Sequence, residues 1–218
     1  MNIWIDDRDS AAFLVESFHY SKRFPTNVQL TMTWCLDGGL FGDRGDPVAA
    51  IVFTVPGTRW SENVFELARL IRTERCDVPL TGLIAEACSQ LRRDRKTDLL
   101  VSFADQTQGH HGGIYQAASW NYDGQRDRSI DGLVISGRFI PGRVCNHRFG
   151  TRSPQLLKQR HPDWDIRPHF DEGKHLYWRA LDKNGRKKAD RLGLRSVPYV
   201  KPTGSASVCR PQIVTACR

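Results

Sequence analysis

The chain has no C-x-x-C pair, no apolar run near the ~18 residues needed to span a bilayer, and no glycine loop followed by G-K-S/T. Its six cysteines (Cys35, Cys76, Cys88, Cys145, Cys209 and Cys217) are scattered through 218 residues. That spacing excludes a zinc ribbon, and a chain this long buries enough core to need no disulfide framework. They read as reduced thiols, with Cys88 as helix-core filler. The N-terminus, MNIWIDDRDS, is acidic where a secretion signal would be basic, so a cytoplasmic protein with no membrane partner is expected. The turn containing Gly38, Gly39, Gly42 and Gly45 opens no helix and reads as a hairpin connection, not a phosphate cradle.

What is present is charge, unevenly placed. Residues 1–137 hold 14 Lys and Arg against 18 Asp and Glu, a net of −4; residues 138–218 hold 18 against 6, a net of +12. Lys174, Lys183, Arg186, Lys187, Lys188, Arg191 and Arg195 are grouped there with Tyr177 and Trp178, a composition suited to a phosphate backbone. Lys22 and Arg23 add a second basic point early in the chain. The bland reading is a solvated basic surface; the asymmetry favours nucleic acid.

Apolar periodicity orders the elements. A short strand at Ile3–Ile5 precedes a helix with an apolar stripe of Ala11, Leu14, Val15 and Phe18, which ends in the cluster His19 to Phe24 before Pro25. Val28 to Leu36 alternates as a strand with one wet face, Val48–Val55 returns as a more buried strand, and Val64–Arg72 is a third. Leu80, Leu83, Ile84, Ala87, Cys88 and Leu91 form the clearest amphipathic helix. Asp98 to Phe103 is a strand, followed by a polar elbow and a helix from Ile114. Leu133–Phe139 reads as one strand, Ser153-Pro154 caps a short helix through Arg160, and His175–Leu181 is the last strand. The expected architecture is α/β (α+β), a mixed, largely antiparallel central sheet flanked by helices, in one domain over 1–202, with a patternless tail from Thr203 to Arg218.

The elbow concentrates the chemistry. Asp105, His110, His111 and Tyr115 lie within one loop and the first turn of the next helix, where unsatisfied N–H groups favour negative charge. Asp105 either caps the turn or acts on a substrate; Tyr115 is either a core aromatic or a functional phenol. His19 and Tyr20 either pack on the core or line a site mouth. Glu66 and Arg69, three apart in a strand, are expected on opposite faces.

Several segments together resemble the phage Mom family of DNA-modifying proteins, and the element order is similar to the GNAT acyltransferase fold. They are His19-Tyr20-Ser21-Lys22, Glu66-Leu67-Ala68-Arg69-Leu70, Val101-Ser102-Phe103-Ala104-Asp105, Gly109-His110, Ile114-Tyr115-Gln116-Ala117, Trp120-Asn121-Tyr122-Asp123-Gly124, Lys174-His175 and Pro198-Tyr199. The resemblance implies conversion of adenine in double-stranded DNA to N6-carbamoylmethyladenine, which protects the DNA from host restriction. It implies functional roles for His19, Tyr20, Arg69, Asp105 and Tyr115, and an association with iron.

On that basis Asp105 is expected to deprotonate adenine N6 after the base is flipped. Arg69 and the N–H groups around Gly112 and Gly113 would hold an anionic part of the donor, and His19, Tyr20 and Tyr115 would be iron ligands. A coenzyme A donor is disfavoured: the connection Thr73 to Gly82 carries one glycine, too few for the close backbone approach a pyrophosphate needs. The alternatives are an acetyl-coenzyme A-dependent N-acetyltransferase of GNAT fold and a non-catalytic DNA-binding protein. A homodimer stays open.

Overall fold

The structure, a computed structural model, describes residues 1–38, 44–57, 60 and 63–200. Gly39 and Gly42 of the glycine turn, and the tail from Thr203 with Cys209 and Cys217, lie outside them. The described residues fall into two compact units: those within 1–104, 111–124 and 176–200 form the first, Asp105–His110 and Gln125–His175 the second.

A seven-stranded sheet runs through the first unit. Its strands are β1 (Asn2–Ile5), β2 (Val28–Asp37), β3 (Arg44–Thr54), β4 (Val64–Arg72), β5 (Leu99–Asp105), β6 (Asn121–Gln125) and, from later in the chain, β10 (Lys174–Ala180), in the order β1-β2-β3-β4-β5-β10-β6. β1 to β4 pair antiparallel and β4 pairs parallel with β5. The mixed, largely antiparallel sheet expected from the sequence is present.

Alternation along these strands sorts the helices to the two faces. Ala49, Ile51 and Phe53 of β3, Phe65 and Leu67 of β4, Leu100 of β5 and Tyr177 of β10 join the core under α2 (Leu80–Asp94) and α3 (Gly113–Ala117). Their neighbours Ala50 and Val52 pack with Ala11, Leu14 and Val15 of α1 (Arg8–Phe18). Val64, Leu99, Val101, Leu176 and Trp178 pack with Ala189 of α6 (Lys183–Arg191). α1 and α6 therefore share one face and α2 takes the other. α2 buries the six residues its spacing predicted, and Cys88 is among them. It ends on Arg95 in the left-handed conformation with Arg92 and Arg93 in its last turn, where cations suit the macrodipole.

The second unit holds a three-stranded antiparallel sheet with β7 (Ile130–Ile135) between β8 (Arg138–Pro141) and β9 (Ile166–Phe170). Here the expectation of one strand over Leu133–Phe139 is corrected. Ser136 and Gly137 take positive φ, 49° and 78°, the backbone a two-residue hairpin turn demands, so the alternation continues through a chain reversal. α4 (Gly142–Phe149) and α5 (Pro154–Arg160) cover one face of this sheet, burying Leu133, Cys145, Leu157 and Ile166. Ser153 caps α5 through Leu156 N–H, as expected. Asp171 ties the sheet to the preceding loop, accepting from Ser129 N–H and hydroxyl and from Gly173 N–H. Burial alone would raise its carboxyl, but these bonds and nearby Lys174 outweigh that and hold it below the usual carboxylate range.

Among the described residues Cys35, Cys76, Cys88 and Cys145 are unpaired and buried, and burial raises each thiol above its ordinary pKa. No helix of the described residues is long and apolar enough to cross a membrane.

Candidate functional site

The sheet opens between its two parallel strands. β4 and β5 pair over three positions, Val64↔Leu99, Phe65↔Leu100 and Glu66↔Val101. One residue later a side chain replaces the ladder: Ser102 Oγ donates to Leu67 O at 2.8 Å. β4 also bulges at this point. Val52 faces Arg69 and Phe53 faces Leu67, leaving Ala68 without a partner on β3. One extra residue reverses the parity of the strand, so Glu66 and Arg69 lie on the same face, opposite Thr54 and Val52. The expectation that they point to opposite faces is thereby corrected. That face is α1's, where Val52 joins the α1 core. The Arg69 guanidinium donates back to Ala68 O at 2.7 Å and reaches Arg23 O at 3.5 Å, which ties the bulge to the loop after α1.

Tyr115 fills the opening from the other side. Its ring is buried between Trp120 (centroids 5.4 Å apart) and Tyr177 (5.2 Å), and its hydroxyl meets Ser102 Oγ at 2.7 Å. Ser102 has one proton, and Leu67 O can only accept. The proton therefore goes to Leu67 and Tyr115 donates to Ser102. Burial pushes the phenol up to about 12, and Tyr20, Glu66 and Tyr177 add to the shift. Tyr115 is a standing hydrogen-bond donor at neutral pH, within electrostatic reach of the Glu66 carboxylate and the Tyr20 phenol.

The loop after α1 brings Tyr20. His19 ends α1 in extended conformation, and Lys22 turns the chain at φ 47°, its ammonium bonded to Ser17 O. Tyr20 is 42% exposed with its ring against the His19 imidazole at 4.2 Å. His19 Nδ1 receives Ser21 N–H at 3.1 Å and lies 2.9 Å from Ser21 Oγ. A backbone N–H can only donate, so Nδ1 is the bare nitrogen and Nε2 carries the proton.

That tautomer bears on iron. A His19 ligand acting through Nε2 would need its proton on Nδ1, where Ser21 N–H already points. The expected set His19, Tyr20 and Tyr115 does not fit an iron ion, and no group of three or more His, Cys, Asp or Glu among the described residues could hold one.

Gly112 is fixed by packing. Gly112 has φ 83°, and a Cβ there would lie 2.2 Å from the Tyr177 ring. Tyr177 donates to His111 O at 2.6 Å and receives Gln116 Nε2 at 3.0 Å, so the chain is drawn across the ring and Gly112 is the only residue type that fits. Gly112 O then accepts from Tyr115 and Gln116 N–H. A five-residue helix with this N-terminus has little macrodipole to offer an anion.

Asp105 belongs to the second unit and is described there. It caps the 3₁₀ turn Gln106–Gln108, accepting Thr107 N–H at 3.0 Å, and its carboxylate lies 4.0 Å from Lys174 Nζ. Tyr20 and Glu66 thus lie within electrostatic reach of Tyr115, and Arg69 shares Glu66's face. Ser102 and Tyr177, which place Tyr115, were missed as site residues. The one polar side chain inside the apolar run Leu99 to Ala104 was the available signal for Ser102.

Of the basic residues, Lys183, Arg186, Lys187, Arg191 and Arg195 are exposed, as are Lys22 and Arg23. Arg186 lies over the Trp178 ring at 5.5 Å. Lys188 is a correction: it is 8% exposed, bonds Asp98 at 2.5 Å and reaches Asn63 O at 3.5 Å. Its cation anchors α6 and is not available to a phosphate.

Solved structures similar to the chain include three acetyltransferases. The Bacillus subtilis enzyme in complex with CoA is 13% identical, with a TM-score of 0.44 over 83% of this chain and 99% of that one. The GNAT family enzyme from Elizabethkingia anophelis with acetyl-CoA bound is 11% identical, with a TM-score of 0.43 over 82% and 98%. The GNAT family enzyme from Streptococcus pneumoniae is 12% identical, with a TM-score of 0.42 over 83% and 100%. No curated protein matches. The Mom protein family matches residues 2–201, all but the first residue and the tail, and the chain belongs to that family.

Proposed function

We propose that the chain transfers a carbamoylmethyl group to N6 of adenine in DNA at the β4–β5 opening, and that the product shields phage DNA from host restriction. Membership of the Mom family supports phage DNA modification. The observation that carries the chemistry is the grouping of a buried donor phenol, Tyr115, with the Glu66 carboxylate and the Tyr20 phenol where the strands part.

The N6 amine is a weak nucleophile because its lone pair is delocalised into the purine ring, and in a duplex it is also paired. The base must leave the stack and lose a proton as the new bond forms. Glu66 takes the N6 proton, the nitrogen pair forms the C–N bond, and the donor's leaving group departs with the electrons of the bond that breaks. Tyr115 stays protonated with its one proton on Ser102 Oγ, holding its ring in place at the opening, while Arg69 holds an anionic part of the donor. Asp105, which caps the 3₁₀ turn by accepting Thr107 N–H, is the rival base. Lys22, Arg23, Lys183, Arg186, Lys187, Arg191 and Arg195 hold phosphates.

Mass spectrometry of nucleosides from DNA of cells expressing the chain tests this. A carbamoylmethyl increment on deoxyadenosine is expected. An acetyl increment would replace the reading with N-acetyl transfer; no increment, with tight DNA binding, would replace it with a binding protein.

A further inference from the structure

The three-stranded sheet of the second unit packs one face under α4 and α5, and its other face exposes Phe139. On the helix side are Leu133 and Ile135 of β7, Ile140 of β8 and Ile166 of β9. Alternation and register put Gly132 and Val134 of β7, Phe139 of β8, and Arg167 and His169 of β9 on the opposite side: Val134 faces Phe139 and Arg167, and Gly132 faces His169.

This face is an aromatic platform. Gly132 has no side chain, and the Phe139 ring occupies the vacated space; a Cβ on Gly132 would meet Phe139 Cε2 at 2.6 Å. The ring is 44% exposed. His169 supports it from the neighbouring strand, with centroids 4.7 Å apart. His169 Nδ1 is buried without a hydrogen-bond partner among the described residues, so ring contact sets this imidazole's place. Arg167 shares the face, exposed and paired with Asp165 at 3.1 Å. An exposed aromatic on a sheet, with an arginine beside it and in a unit that holds 10 Lys and Arg against 7 Asp and Glu, a net of +3, has the chemistry of a base-stacking surface for an unpaired nucleotide.

We propose that the open face of the β8-β7-β9 sheet, centred on Phe139, stacks an unpaired base of the DNA substrate. This rests on the DNA reading above and assigns the second unit a share in holding strand that is out of the duplex. It is distinct from the phosphate contacts of α6, because stacking depends on the π face and not on charge.

The test is fluorescence anisotropy of the full chain with a labelled single-stranded oligodeoxyadenylate, over a range of salt. Phe139→Leu keeps an apolar side chain over Gly132 and removes the π face; Phe139→Tyr keeps both. The Leu variant should weaken binding by about tenfold, within the range of one base–aromatic stack, with an unchanged salt slope, and the Tyr variant should bind as the parent does. If the Leu variant binds as tightly as the parent, the stacking surface is refuted while DNA binding stands. If the parent itself fails to bind, both the surface and the DNA reading fall. A change in oligomeric state with Phe139→Leu and no change in affinity would assign the face to a second copy of the chain and overturn the proposal.

Discussion

The two carboxylates nearest the chemistry, Glu66 and Asp105, sit in contrasting surroundings. Asp105 stands at the end of a strand, where an acid is conspicuous, and its oxygens are taken up by the turn it begins and by proximity to Lys174. Glu66 lies mid-strand, where an acid reads as a surface charge, and a bulge three residues wide in its consequences places it with Arg69 and within reach of Tyr115. A strand-end acid is often structural for the same reason that it is visible: the chain has orphan N–H groups there to satisfy.

The sharpest way to break this contrast is to remove each acid in turn. Glu66→Gln should lower the yield of modified deoxyadenosine by about 100-fold or more, the scale of a lost general base, with folding intact. Asp105→Asn can still accept Thr107 N–H through its amide oxygen and should keep most of the activity. The reverse result, read by nucleoside mass spectrometry at matched protein levels, would hand the proton to Asp105 and leave Glu66 a bystander.

Gly112→Ala tests the support beneath Tyr115. The substitution combines a left-handed backbone with a Cβ 2.2 Å from the Tyr177 ring, and should cost about 2–4 kcal/mol of stability, seen as a lower denaturation midpoint. If the glycine instead served an anionic donor, stability would hold and only activity would fall.

How far these features were legible follows from their physics. The stripe of α2 and the alternation of β2 and β5 were readable because burial on one face leaves a period in the sequence. The Ala68 bulge was not, since one extra residue changes no composition and reverses every face beyond it. The β7–β8 turn was readable in part: Ser136-Gly137 is a turn pair, but alternation on both sides masked it. Lys188 had a signal too. Gly185, Lys188, Ala189 and Leu192 recur at helical spacing, which places one cation of the basic run on the packed side of α6.

Lys188 and Lys187 carry the comparison to the basic surface at a smaller scale. Lys188→Met breaks an ion pair whose side chains are 11% and 22% exposed and should cost about 2 kcal/mol, with the salt dependence of DNA binding unchanged. Lys187→Ala should leave stability alone and lower the salt slope by about 1. Equal effects of the two on the slope would mean that α6 does not dock DNA in the orientation its burial implies.

The mildest probe distinguishes the two phenols at the opening. The folded-state pKa of Tyr115 is raised to about 12 by burial, above the ordinary phenol value near 10. The stability tied to that proton is fully present below the unfolded pKa and is lost as pH rises through the folded one. Burial raises Tyr122 and Tyr177 as well, so an absorbance titration should show several tyrosines ionising late in step with alkaline unfolding, and Tyr115→Phe should remove one equivalent from that late step. Tyr20→Phe, at a side chain 42% exposed, should leave that late step in place. A Tyr115 that ionises early in the folded protein would free it to act as a base or metal ligand, and would reopen the assignment that its bond to Ser102 closes.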